Sequence, residues 1–357
     1  MEKLKNKHNK NIFERNPKKT LSIFIILAFL IIDFISAQIF LYNNKDRNRY
    51  FRTFHSYYHH TLRPNINTHY WWNDRKCEII TNSLGFKDKA QEKISFSKSK
   101  HRIIFIGDSF TEGLGVQFDS TFVGILKNNY PDNEILNAGV VSYSPKLYYL
   151  KIKYLIEEKH LQFDELYVFI DISDIQDEIA YKDFMPKNSP KWYTYIIKEY
   201  ITPYIKNNSL IINRLFNYYQ NKVKGKKYSY ERSAWMYNDE IYNKWGKQGV
   251  NLAIQNMKKL YELCEKNKIK MTIAIYPWNE QIKQKDLECR QVVIWKEFTD
   301  KYKINFINYF PEFISGNKTS NKNKYFIDGD IHWNEKGHKE IAEKIISGNY
   351  ITDITQK

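Results

Sequence analysis

The sequence predicts an α/β fold, a three-layer sandwich with a mainly parallel sheet between helical layers. Three observations carry that expectation. From His101 onward, short apolar runs alternate with longer amphipathic segments, the rhythm of strands joined by crossover helices. The short runs lack an apolar–polar alternation, as strands buried on both faces do. Composition is that of a packed chain, with 357 residues, 42% hydrophobic and 27% charged, which excludes wholesale disorder.

Taken in order, RIIFIG (102–107) is the first core strand and FVGILKNNY (122–130) the helix after it. EILNAG (134–139) is the second strand, and PKLYYLKIKYLIEEKH (145–160) opens a helix on a proline suited to a first turn. ELYVFIDI (165–172) is the third strand, residues 247–267 a long amphipathic helix, and IKMTIAIYP (269–277) a strand stopped by proline. QVVIWKEFTDKY (291–302) reads as a helix, INFINYF (304–310) as the last strand, and NEKGHKEIAEKII (334–346) as a closing helix capped by Asn334. Residues 176–245 interrupt the rhythm and are rich in aromatic and β-branched residues, with Pro203 inside a helical pattern. They are expected to form a helical insertion, either a cap over the carboxyl ends of the strands or a layer along one sheet edge.

Ahead of this domain, residues 21–42 form the only apolar run long enough to cross a bilayer, with seven Lys/Arg in residues 1–19 and four in 45–52. The larger positive charge on the amino-terminal side orients that end to the cytoplasm and the rest of the chain to the periplasmic or extracellular side. Ile35 spoils a small-x-small cleavage site at Ala37, so an uncleaved signal anchor is expected over a cleaved signal peptide. Asp33 interrupts the run at a cost of about 3 kcal/mol on insertion scales. The resulting organisation is a basic tail over 1–19, an anchor over 20–42, a stem over 43–78 and the α/β domain over 79–350.

Net charge is +16, and residues 1–52 hold 11 Lys/Arg against four acids. The remaining excess is diffuse and accompanies no nucleic-acid motif, so no nucleic-acid partner is expected. Three cysteines are too few for a disulfide scaffold, and no C-x-x-C pair marks a zinc site. Cys264 and Cys289 are left open as a pair. His55, His59 and His60 share a face if their segment is helical, but no carboxylate or thiol accompanies them, and they read as packing or surface histidines; no metal and no cofactor is expected.

Chemistry is expected beyond the carboxyl ends of the parallel strands. Gly107-Asp108-Ser109-Phe110-Thr111-Glu112-Gly113 follows the first core strand, where a serine at a strand-to-helix turn exposes its hydroxyl beside backbone N–H groups. Serine needs a base, and Asp328-Gly329-Asp330-Ile331-His332-Trp333-Asn334 supplies a histidine preceded by acids. Asp108 reads as a loop-structuring residue, and Glu112 as a neighbour at the same mouth. Trp278 and Trp333 follow strand ends, positions suited either to stacking on a sugar ring or to the core.

Together, GDSFTEG, NAGVVSYSP and DGDIHWNEKGH resemble the motif blocks of the SGNH/GDSL hydrolases over about residues 79–346. TNSLGFKD (81–88) and IAIYPWNEQI (273–282) are similar to membrane-anchored bacterial members from envelope and polysaccharide gene neighbourhoods. The resemblance implies a flavodoxin-like fold with Ser109 as nucleophile, His332 as base, and the N–H groups of Ser109 and Gly139 as oxyanion donors. Ser173 stands where the family carries an oxyanion asparagine, and loss of such a donor costs on the order of 3 kcal/mol. The family's Asp-x-x-His is also altered: Gly329 holds the −3 position, and the Asp330-x-His332 spacing looks like that of alginate O-acetylation proteins. Asp330 is therefore expected as the orienting acid. The resemblance implies an esterase acting on O-acetyl groups of an envelope or secreted polysaccharide. A sugar O-acetyltransferase, a weakly catalytic glycan-binding protein and an esterase of lipid substrates stand as its alternatives.

Overall fold

The computed structural model describes residues 15–41, 51–186, 197, 201–224, 232–314 and 324–351. The expected basic tail and the start of the stem lie largely outside these residues. The chain divides into two compact units, Met1–Arg47 with Ile196–Gly225, and Asn48–Tyr195 with Lys226–Lys357.

Ten strands occur among the described residues: β1 (Arg52–His55), β2 (His59–Leu62), β3 (Asn67–Trp72), β4 (Arg75–Thr81), β5 (Lys87–Asp88), β6 (Arg102–Ile106), β7 (Glu134–Asn137), β8 (Glu165–Ile170), β9 (Lys270–Ile275) and β10 (Asn305–Asn308). The helices used below are α1 (Pro17–Phe40), α2 (Ser109–Glu112), α3 (Phe122–Asn129), α4 (Pro145–Glu157), α5 (Asp174–Tyr181), α6 (Thr202–Asn208), α7 (Leu210–Lys224), α8 (Lys247–Lys266), α9 (Asn279–Gln284), α10 (Arg290–Tyr302), α11 (Phe310–Ile314) and α12 (Glu335–Ser347).

The second unit is built on an eight-stranded sheet in the order β10-β9-β8-β6-β7-β5-β4-β3. Strands β10 to β7 are mutually parallel, whereas β5, β4 and β3 extend one edge antiparallel. All five residues of β6 and all six of β8 are buried, which accounts for the apolar runs that follow the charged Arg102 and Glu165 at their starts. The chain steps from β6 to β7 on one side, then crosses to β8 on the other. That reversal makes the carboxyl end of β6 the switch point where an α/β sheet opens a crevice. Helix α3 packs with α12, and α4 with α5 and α8. Asn334 caps α12 by accepting from the N–H groups of Lys336 and Gly337.

The amino-terminal edge of this unit departs from the expected stem. The 78/79 boundary falls inside β4, and β3–β4–β5 are hydrogen-bonded members of the main sheet. Asn82 organises the turn into β5: its Oδ1 accepts from Leu84 N and Phe86 N, and its Nδ2 donates to Asp88. Gly85 in that turn has φ 72° and lies so close to the Leu62 carbonyl that a Cβ would sit 2.4 Å from its oxygen, so only glycine fits. His55 and His59 face each other across the β1–β2 hairpin rather than on a helix. His55 stacks on Tyr58 at 3.7 Å, and His60 Nε2–H donates to Val141 O at 2.7 Å; burial lowers the His60 pKa to about 3.

The expected insertion over 176–245 splits between the two units. Helix α5 belongs to the sheet-bearing unit, as does Trp235, which is fully buried and donates to Ile172 O. Helices α6 and α7 belong to the other unit, where they pack on α1. The residues between, 187–196, 198–200 and 225–231, lie outside those described. Cys264 and Cys289 are buried free thiols, and burial pushes them up to about 12 and about 11 respectively.

Candidate active site

Strand β6 ends at Ile106, and Gly107-Asp108 turn the chain into α2. Asp108 caps this short helix by accepting from Phe110 N at 3.0 Å. Ser109 is its first residue, so the Ser109 N–H is one of the initial helix donors that lack an intrahelical acceptor. Gly113 ends the helix with φ 74°, and Lys87 Nζ, reaching from β5, donates to Gly113 O and Val116 O at 2.8 Å each. The loop behind the serine is thus held by a buried lysine whose pKa burial lowers to about 8.

His332 and Asp330 come from a tight loop before α12, closed by Ile327 N donating to His332 O and Asp330 N to Ile327 O. Gly329 turns this loop with φ 68°. A left-handed backbone at that position favours glycine over aspartate. Asp330 Oδ1 lies 2.6 Å from His332 Nδ1, and Ser109 Oγ lies 2.8 Å from His332 Nε2. Asp330 accepts the Nδ1–H, so Nε2 presents its lone pair to the serine hydroxyl. The structure therefore brings Ser109, His332 and Asp330 into one hydrogen-bonded relay.

Two residues that the sequence did not single out complete the acid's surroundings. Trp72 Nε1 and Asn73 Nδ2, at the end of β3, donate to Asp330 Oδ2 at 2.7 and 3.0 Å. The Trp72 indole also meets the His332 ring edge-on, with centroids 5.4 Å apart. Burial tends to raise the Asp330 pKa, but hydrogen bonds and charge from His332, with the Trp72 donor, outweigh it and hold the carboxyl at about 2.

Ser109 Oγ also lies 3.2 Å from Asp108 Oδ2, so its single proton has two possible acceptors. Burial, then the neighbouring Asp171, pushes the Asp108 carboxyl well above the usual carboxylate range. A protonated Asp108 leaves the serine proton to His332. Asp108, Asp171 and Asp174 bring one oxygen each within 4.8 Å of the others, a spacing a cation can share. Tyr276, Trp278, Ser173 and Tyr148 already donate into the cluster.

The remaining expected oxyanion donors are engaged elsewhere. Gly139 N–H donates to Asn137 Oδ1 at 3.0 Å. Ser173 donates through both N and Oγ to Asp171 Oδ2, at 2.9 and 2.5 Å. Glu112 is buried and clamped by Arg52 through two contacts of 2.6 and 2.8 Å, and it accepts from Val141 N at 2.9 Å. Burial raises its pKa, but the Arg52 charge prevails and holds it below the usual range, marking a structural tie to the loop after β7. Trp278 and Trp333 are 1% and 0% exposed, which places both indoles in the core and removes them as sugar platforms.

No family model matches the chain, and no curated protein matches it in sequence. Solved structures similar to it include the esterase EstA from Pseudoalteromonas sp., with 11% identity, 70% of this chain and 97% of that one covered, and a TM-score of 0.40. A lipolytic protein of the G-D-S-L family from Veillonella parvula aligns at 15% identity over 69% and 97%, with a TM-score of 0.39. A GDSL-like lipase from Bacteroides thetaiotaomicron aligns at 14% over 72% and 93%, with a TM-score of 0.37.

Proposed function

We propose that this chain is a serine-dependent ester hydrolase with Ser109 as nucleophile, His332 as general base and Asp330 as the orienting acid. The observation that carries the reading is the continuous relay from Asp330 Oδ1 through His332 to Ser109 Oγ, at 2.6 and 2.8 Å. A nucleophile, its base and the base's orienter within hydrogen-bond reach are the minimum constellation for acyl transfer.

In this mechanism Ser109 Oγ attacks the ester carbonyl while His332 Nε2 takes its proton. The oxyanion settles on the Ser109 N–H at the start of α2. Gly139 N–H and the Ser173 hydroxyl join it only by releasing Asn137 and Asp171. His332 then returns the proton to the departing alcohol, and water cleaves the acyl-enzyme by the same route. The substrate class we assign is an O-acetyl ester of an envelope or secreted polysaccharide, supported by the motif resemblance and the apolar amino-terminal helix. We place the domain on the outer side of the cell membrane on the same grounds.

The test is acetate release from p-nitrophenyl acetate and from O-acetylated polysaccharide by the wild type, Ser109→Ala and His332→Ala. Turnover lost in both variants supports the reading, and turnover retained in Ser109→Ala refutes it. Running the assay with an added glycan acceptor separates hydrolysis from transfer to sugar.

A further inference from the structure

The amino-terminal unit is built inside out. Among the described side chains of α6 and α7, Tyr204 and Leu215 are each 62% exposed, and Ile205, Ile211, Ile212 and Phe216 are exposed with them, alongside Arg214 and Asn217. The buried positions of the same hairpin are polar, namely Asn207, Ser209 and Asn213. Asn213 Nδ2 donates to Lys206 O, Ser209 Oγ accepts from Ile212 N, and Asn217 Nδ2 donates to Asn213 Oδ1. Polar, hydrogen-bonded buried positions beneath a mostly apolar exposed surface are the reverse of a water-soluble hairpin and suit a hydrocarbon solvent.

The hairpin is joined to α1 at two polar points. Asp33 Oδ1 accepts from Ile211 N at 3.0 Å, and Gln38 Nε2 donates to Asn208 Oδ1 at 3.0 Å. The exposed apolar faces of α6 and α7 therefore continue the apolar surface of α1, a 24-residue helix long enough to span a membrane. Asp33 lies seven residues before Phe40, roughly 10 Å along the helix at 1.5 Å per residue. The first turn of α7 shares that depth.

We propose that α6 and α7 form a second membrane element, seated among acyl chains in the outer part of the bilayer beside α1. The occupant of their apolar face is lipid. The inference rests on the reading of α1 as a membrane anchor. It assigns Asp33 a purpose, since the carboxylate meets a backbone N–H of the partner helix instead of facing hydrocarbon.

The experiment uses the full-length chain in phosphatidylethanolamine/phosphatidylglycerol vesicles, with nitroxide labels at Leu215→Cys, Ile212→Cys, Phe29→Cys on α1 and Lys258→Cys on α8. The three native thiols are buried, which directs labelling to the introduced ones. Collisions with oxygen, which concentrates in hydrocarbon, are compared with those of a water-soluble nickel chelate. The proposal expects labels at 215 and 212 to follow the label at 29, rich in oxygen contact and shielded from the chelate. Chelate contact at 215 and 212 equal to that at 258, with 29 shielded, overturns the proposal and leaves the anchor standing. Chelate contact at 29 as well overturns both. Spin–spin broadening at 215 and 212 assigns the face to a second copy of the chain and overturns lipid as its occupant.

Discussion

Replacing Trp72 with phenylalanine isolates one donor of the relay. The ring keeps its edge-on contact with His332, while the 2.7 Å hydrogen bond from Nε1 to Asp330 Oδ2 disappears. A hydrogen bond to a charged group is worth about 1.5–3 kcal/mol, and Asn73 still donates to the same oxygen at 3.0 Å. If that loss appears in the transition state, when His332 becomes charged and leans on Asp330, kcat/KM falls about 10- to 100-fold. KM is expected to stay near the wild-type value, because Trp72 acts through Asp330 as a positioning residue. The Asp330 carboxyl, held at about 2, also moves toward the ordinary carboxylate range. The assay is steady-state hydrolysis of p-nitrophenyl acetate over a range of pH, with Trp72→Phe/Asn73→Ala as the stronger double variant. A folded double variant with unchanged kcat/KM refutes the assignment of Trp72 and Asn73 as positioning residues for Asp330.

Further expectations follow from groups around the site. Ser173→Ala is expected to change kcat/KM less than about 3-fold, because the hydroxyl is committed to Asp171; a fall of about 100-fold or more identifies it as an oxyanion donor instead. Arg52→Met leaves the buried Glu112 carboxylate without its ion pair and is expected to cost about 3–5 kcal/mol in urea unfolding, with Arg52→Met/Glu112→Gln recovering part of it; equal stabilities of Arg52→Met and wild type contradict the clamp. Lys151 is buried and donates to Ala138 O, and burial lowers its pKa to about 7. The unfolded chain, with an ordinary lysine near about 10.4, binds the proton that the folded chain has released, so stability rises with pH across that window. Lys151→Met is expected to flatten this rise in denaturant titrations at pH 7, 8, 9 and 10.

The parallel core was legible because β6 to β10 and the helices between them announce themselves by unbroken apolar runs and helical spacing. Ser109, His332 and Asp330 stood out as candidates because Ser109 opens the helix after β6 and the other two lie in the loop before α12, next to elements with clear sequence patterns. The edge strands β3 and β4 escaped notice because polar residues break up their apolar positions, and β5 because it is only two residues long. Trp72 and Asn73 escaped with them: they lie more than 250 residues from Asp330 in the chain, and no local pattern marks a long-range donor. Gly329, which departs from the spacing the motif resemblance implies, has a left-handed backbone that local sequence does not announce. The insertion was read as a unit because its composition is uniform, whereas its helices belong to two different bodies. The inverted polarity of α6 and α7 depends on which side chains are buried, which composition does not reveal.

The central claim is an activated serine at position 109. Its most direct measurement is covalent labelling of the full-length chain with a fluorophosphonate, followed by peptide mass spectrometry. The account predicts one phosphonylated peptide, modified at Ser109, and no labelling in His332→Ala. A folded wild type that stays unmodified, or one modified at another residue, contradicts it.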